Sequence, residues 1–311
     1  MTLAILCSGQ GPQHAKMFAL SGEAPQAAPL FARAATLLGA RDPREIVMSD
    51  TSAALHRNRT GQILCALQAV AAATALRDAL PSTLLVAGYS VGEVAAWSVA
   101  GLVDAMPALD LVAQRAEAMD AASAVGDGLL FVRGLSLAAV NALCQRHDAA
   151  IAIVNPNNAY LLGGAGVALD ALAVEAEGMG AARAVRIGVN VASHTSRLAG
   201  ASIAFRKVLK QAPIRRTLDK NVRLFSGIDG SAVVDVESGM NKLADQISHT
   251  VQWEACLQSC VEAGADRFLE LGPGHALSEM AASAYTHIPA RSLDDFRTLD
   301  GVRTWLMRGL S

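Results

Sequence analysis

The stretch LLVAGYSVGEVAAW, residues 84–97, runs an apolar segment into a Gly-Tyr-Ser-Val-Gly corner and straight out into a helical pattern. G-x-S-x-G between a buried strand and a helix is the signature of a nucleophile elbow. The tight turn lifts the serine hydroxyl out of the sheet edge. The glycines remove Cβ atoms that would clash, and the following helix points free N–H groups at the same spot. Ser90 and Glu93 also fit a capping box, in which the serine merely starts the helix. Capping asks nothing of Gly88 or Gly92 and needs no preceding strand, so the elbow is favoured.

Working outward, LAILCS (3–8) reads as a buried strand ending in the turn GQGPQ. A helix is expected over 62–79, a strand over 83–88, a helix from the serine corner to near Gly101, and a helix over 105–123. Strands alternating with helices imply a parallel sheet covered on both faces. A different order starts at GDGLLFVRG: strand 129–133, helix 136–147, strands 150–154 and 159–163, helix 167–179, strand 183–189. That βαββαβ order is ferredoxin-like. It suggests a small subdomain over 126–192 inserted into a large one made of 1–125 and 193–311. Beyond it come helix 197–211, strand 222–226, helix 251–263, and RFLELGPG as a strand entering a glycine turn.

With 52% hydrophobic, 17% charged and 4% aromatic residues, the composition suits a soluble, helix-rich α/β enzyme. A net charge of −2 gives no global reason to expect nucleic acid or membrane as a partner. The cysteines form no CxxC pair and read as buried hydrophobes in a reducing cytosol. Cys256 and Cys260 are spaced to share a metal, but no His/Cys quartet accompanies them, so no metal is expected. The N-terminus has no basic leader and no apolar run reaches membrane-spanning length, so a cytoplasmic location is expected.

A serine hydroxyl needs a base to become a nucleophile. His194, in NVASHTS, follows an expected strand where the inserted segment hands back to the large one. His275, in GPGHALSEM, lies at another strand end, and the residues alone leave both candidates open. Arg115 shares a helix face with Leu111, Val112, Ala118 and Met119, an apolar stripe on which an arginine is out of place. A guanidinium can grip a carboxylate through two parallel hydrogen bonds; the alternative is an arginine reaching for solvent or for Asp120. Arg206, Lys207, Lys210, Arg215, Arg216, Lys220 and Arg223 form one basic cluster. It reads as a docking surface for an acidic protein or for phosphate groups, or as a solvated helix face.

SGQGPQ at 8–13, GYSVGE at 88–93, an arginine 25 residues after the serine, ASH at 192–194, QISHTVQW at 246–253 and ELGPG at 270–274 stand in a telling order. Together they resemble the acyl-carrier-protein malonyltransferases over nearly the whole chain. The resemblance implies an α/β-hydrolase-like large subdomain with a ferredoxin-like insert. It implies Ser90 as nucleophile, His194 as base, and the main-chain carbonyl of Gln246 as the group orienting the base. The Gln246 side chain is then expected to matter less than its backbone. Backbone N–H groups of Gln10 and Val91 would form the oxyanion hole. Arg115 would hold the free carboxylate of the acyl group, with Ser193 and Asn155 beside the substrate.

The family's usual elbow is Gly-His-Ser, and Tyr89 departs from it. In this the chain is similar to the malonyltransferase (epsilon) subunit of bacterial malonate decarboxylase. The implied reaction is ping-pong transfer of malonyl from malonyl-CoA to the prosthetic-group thiol of an acyl carrier protein, with no bound cofactor. The alternatives are a malonyltransferase of fatty acid or polyketide synthesis, and a serine thioesterase or esterase.

Overall fold

The computed structural model describes residues 2–308. Five strands build a wholly parallel sheet: β1 (Leu3–Cys7), β2 (Leu84–Gly88), β7 (Val222–Phe225), β9 (Arg267–Leu271) and β10 (Ala290–Ser292), in the order β10-β9-β1-β2-β7. β1 and β2 are buried along their whole length. Strands covered by helices on both faces read as unbroken apolar runs, which is why LAILC and LLVAG show no alternation. The helix Asn58–Leu76 is apolar almost all round for the same reason, being wedged between the sheet and other helices.

The second sheet takes β3 (Asp127–Arg133), β4 (Ala150–Asn155), β5 (Ala159–Ala165) and β6 (Arg183–Arg186) in the order β6-β3-β5-β4, every neighbouring pair antiparallel. With helices Leu137–Arg146 and Gly166–Gly178 between them, this is the expected ferredoxin-like βαββαβ arrangement. Its core, centred on Leu130, Val132, Leu143, Leu162 and Leu172, is separate from the core around the parallel sheet.

Several expected elements differ at their ends. The strand expected over 183–189 stops at Arg186, whose guanidinium turns to the Gly166 carbonyl and Asp170. The helix expected over 251–263 begins only at Trp253. Val251 and Gln252 form a short strand, β8, parallel to β4, and Thr250 Oγ1 donates to the Ile151 carbonyl at 2.8 Å. Apolar periodicity cannot separate a two-residue strand from the first turn of the helix it enters. β8 ties the antiparallel sheet to residues that follow Gln246.

Among the described residues, no helix is long and apolar enough to cross a membrane, and no group of three or more His, Cys, Asp or Glu could hold a metal ion. Cys256 and Cys260 are both buried thiols.

Candidate active site

β2 ends at Gly88 and the helix Gly92–Val99 starts four residues later, leaving Ser90 on the corner with φ +56°. A non-glycine residue in this left-handed region costs of order 1–3 kcal/mol and persists only where its surroundings impose it. The imposition is steric. A Cβ on Gly88 would stand 2.3 Å from Glu93 Cα, and one on Gly92 would stand 2.1 Å from the Cys7 carbonyl oxygen. The helix start is thus pressed against β1 and β2 more closely than any side chain allows. Gly92→Ala is expected to lower the unfolding free energy by about 3 kcal/mol, read from the urea midpoint, because neither the strand nor the helix can retreat.

The capping-box alternative does not form. The helix takes Val91 as its N-cap with no side-chain cap bond, and Glu93 is turned inward to other partners. The Ser90 hydroxyl lies 2.8 Å from His194 Nε2, and His194 Nδ1 lies 2.5 Å from the Gln246 carbonyl oxygen. A carbonyl can only accept, so Nδ1 carries the hydrogen and Nε2 offers its lone pair to the hydroxyl. His194 has φ +62°, so both ends of this hydrogen bond sit on left-handed backbone. Burial first, and the Arg115 charge second, hold the imidazole well below its usual value, at about 3; the Gln246 carbonyl opposes them. The ring is neutral at neutral pH and can take a proton. His275, the rival base, instead faces Asp295 at 3.3 Å from a half-exposed position.

The loop 8–13 is held over this corner. Ser8 Oγ donates to Glu270 at 2.7 Å, the Ser8 N–H donates to the Leu271 carbonyl, and Gln13 Oε1 accepts from the Gly11 N–H at 2.6 Å. This brings SGQGPQ and ELGPG together across the β1/β9 pair. The backbone N–H groups of Gln10 and Val91 have no protein acceptor among the described residues. Two such donors can stabilise negative charge on an oxygen placed between them.

Arg115 is 1% exposed. Nη1 donates to Gln62 Oε1 at 2.7 Å, Nη2 to Gln246 Oε1 at 3.2 Å, and the buried Nε has no partner. It neither reaches solvent nor meets Asp120, which accepts from Asn58 Nδ2 at 2.9 Å. Among the described residues no carboxylate forms an ion pair with it. Burial lowers it to about 10, so it remains charged at neutral pH. A buried cation held by neutral amides has capacity for an anionic guest.

Tyr89 packs edge-on against Trp253, ring centroids 5.3 Å apart, with its hydroxyl end in the interior beside the Asn155 amide. Asn155, buried at the end of β4, has an unpartnered Oδ1. Ser193, the residue before His194, is buried, and its hydroxyl makes no hydrogen bond among the described residues. Three members of the basic cluster are placed by their contacts. Arg206 pairs with Asp245, the chain neighbour of Gln246, Arg215 pairs with Asp104, and Arg223 stands opposite Leu85 near the start of β2, toward the other end of the sheet from Ser90.

The Gln246 side chain is itself engaged, beyond its backbone carbonyl. Its Nε2 donates to Glu93 Oε2 at 2.5 Å and to the Ser90 carbonyl at 3.1 Å, and its Oε1 receives Arg115. One fully buried residue therefore touches the backbone of the serine, the ring of the histidine and the guanidinium. Gln246→Ala would leave buried groups without partners, each a cost of about 1–3 kcal/mol. We expect a clear loss of thermal stability and a drop of about a hundredfold in acyl-transfer kcat/KM. A near-wild-type rate would return the role to the backbone alone. Gln62 and Glu93 were not singled out by sequence as site residues; the available signal was a polar side chain inside an apolar helix and an acid beside the corner.

The family model for the acyl transferase domain matches residues 5–293. A malonyl CoA-acyl carrier protein transacylase of Mycobacterium bovis is 30% identical over 218 residues, covering 70% of each chain. One from Synechocystis is 27% identical over 302 residues, 96% of this chain and 100% of that one. A solved acyl-carrier-protein S-malonyltransferase from Burkholderia pseudomallei is similar with a TM-score of 0.88 at 26% identity, covering 98% of this chain and 100% of that one.

Proposed function

The chain is a member of the acyl transferase domain family, and we propose that it moves a malonyl group from malonyl-CoA to the prosthetic-group thiol of an acyl carrier protein. The observation that carries this reading is the Ser90 hydroxyl 2.8 Å from a neutral imidazole, with a buried guanidinium held by the same glutamine that orients the ring. His194 takes the Ser90 proton as Oγ attacks the thioester carbonyl. The tetrahedral oxyanion is met by the N–H groups of Gln10 and Val91, a pair whose single loss typically costs of order a hundredfold or more in kcat. The C–S bond breaks, His194 protonates the departing coenzyme A thiolate, and a malonyl ester remains on Ser90. The carrier-protein thiol then gives its proton to His194, its sulfur attacks the ester, and the steps reverse.

Arg115 is assigned the free carboxylate of the malonyl group, with Tyr89, Ser193 and Asn155 lining the acyl pocket. The relatives described above are malonyl CoA-acyl carrier protein transacylases, which favours carrier-protein malonylation as in fatty acid or polyketide synthesis. The malonate decarboxylase reading rests on Tyr89 alone and is the weaker of the two. The buried free cysteines fit a cytoplasmic setting.

The test is incubation with malonyl-CoA, with and without an acyl carrier protein bearing its prosthetic thiol. One equivalent of coenzyme A should be released in a burst, with malonyl retained until the carrier is added. Steady release of malonate without the carrier would make the protein a hydrolase instead.

A further inference from the structure

Glu93 is a buried acid to which the reaction above gives no task. It lies in the first turn after Ser90, 1% exposed. Oε2 accepts from Gln246 Nε2 at 2.5 Å and from the Gly227 N–H at 3.1 Å, while Oε1 has no partner. The same Gln246 amide presents its Oε1 to Arg115 Nη2. One amide therefore joins a buried carboxylate to a buried guanidinium that has no acid in direct contact. The other ionisable groups facing Glu93 are Asp229, beyond β7, and Cys256, on helix Trp253–Glu262. Asp229 is tied to Lys242 at 2.7 Å, and burial keeps the Cys256 thiol neutral. Of the groups that face Glu93, Arg115 alone is positive.

We propose that Glu93 is a specificity-determining residue: through Gln246 it sets how tightly Arg115 holds a free carboxylate on the incoming acyl group. This rests on the assignment of Arg115 as the carboxylate clamp. Two anions sharing one cation in a poorly polarisable interior leave an excess negative charge, which is costly. A docking carboxylate therefore favours a protonated Glu93, and by linkage a protonated Glu93 favours the carboxylate. Burial raises Glu93 to about 7, so the exchange falls within the working range. Below that value Glu93 carries its proton in the free enzyme and Arg115 is unopposed. Above it, Glu93 is ionised and competes for the guanidinium. An acetyl group has no carboxylate and does not sense the change.

Glu93→Gln keeps the shape and an acceptor oxygen for Gln246 Nε2 while removing the charge. The experiment measures kcat/KM for malonyl-CoA and acetyl-CoA with wild type, Glu93→Gln and Arg115→Ala, at about pH 6 and about pH 8. The wild-type malonyl-to-acetyl ratio should fall by about five- to tenfold across that range, and the Glu93→Gln ratio should stay at its low-pH value. A wild-type ratio that does not move with pH overturns the proposal, as does a Glu93→Gln ratio that moves with it. An equal loss on both substrates in Glu93→Gln, with a flat wild-type ratio, marks a purely structural role and also overturns it. If Arg115→Ala keeps the malonyl preference, the clamp itself fails and this inference goes with it. If Arg115→Ala loses the preference while wild type shows no pH effect, only the role of Glu93 is lost. Should Glu93→Gln not fold, the wild-type pH series decides alone.

Discussion

Ser90→Ala is expected to leave no acyl group on the protein after mixing with malonyl-CoA, and to cut carrier-protein malonylation by about 10⁴-fold or more. The reason lies in the corner. The hydroxyl at residue 90 is the group that His194 Nε2 faces at 2.8 Å, and alanine fits the same strained backbone without offering an oxygen. His194→Ala should be of similar size, because the hydroxyl then has no base and an unassisted serine is a poor nucleophile at neutral pH. The double variant should be little worse than either single one, since the two groups act as one unit. Intact-mass spectrometry reads the ester and steady-state transfer reads the rate. An adduct that persists in Ser90→Ala would move the nucleophile elsewhere. Losses that multiply in the double variant would mean that the two side chains work separately.

What the sequence makes legible is what neighbours in the chain decide. The turn at Ser90 is readable because strand, glycines and helix lie within about a dozen residues, and each local preference agrees with the others. The ferredoxin-like order is readable because its strands and helices follow one another without interruption. The hydrogen bond between Ser90 and His194 spans 104 residues, and that between Arg115 and Gln246 spans 131. No periodicity reports pairings of that reach, which is why His275 stood level with His194 until the family's motifs were considered. The inward turn of Glu93 is hidden from the sequence for a related reason. Its place beside the corner fits a cap, and the Gly227 N–H, just past β7, and the Gln246 amide hold its carboxylate inward. The two-residue strand β8 was hidden by the helix it precedes.

Arg115→Ala is expected to exchange the substrate preference, lowering kcat/KM for malonyl-CoA by about a hundred- to a few thousandfold while acetyl-CoA becomes the better donor. Breaking a buried, hydrogen-bonded charge pair by deleting one partner costs about 3–5 kcal/mol, and each 1.4 kcal/mol is a factor of ten. An acetyl group never makes that pair and is spared the loss. The deletion also disturbs the free enzyme, in directions that can be worked out. Gln62 Oε1 and Gln246 Oε1 lose their donor, so some stability goes. Glu93 loses the cation that opposed its burial and holds its proton to higher pH, which limits the uncompensated charge left behind. His194 loses a positive neighbour that had helped to hold it low, so the imidazole moves back toward its usual value. The acid limb of the acetyl-transfer profile should therefore shift to higher pH in the variant, a change that simple loss of packing would not cause. Arg115→Lys keeps the charge but not the planar pair of donors, and should fall between the two. The comparison of donors is the deciding measurement: a malonyl preference that survives Arg115→Ala removes the clamp, and an equal loss on both donors makes Arg115 part of the framework that holds Gln246.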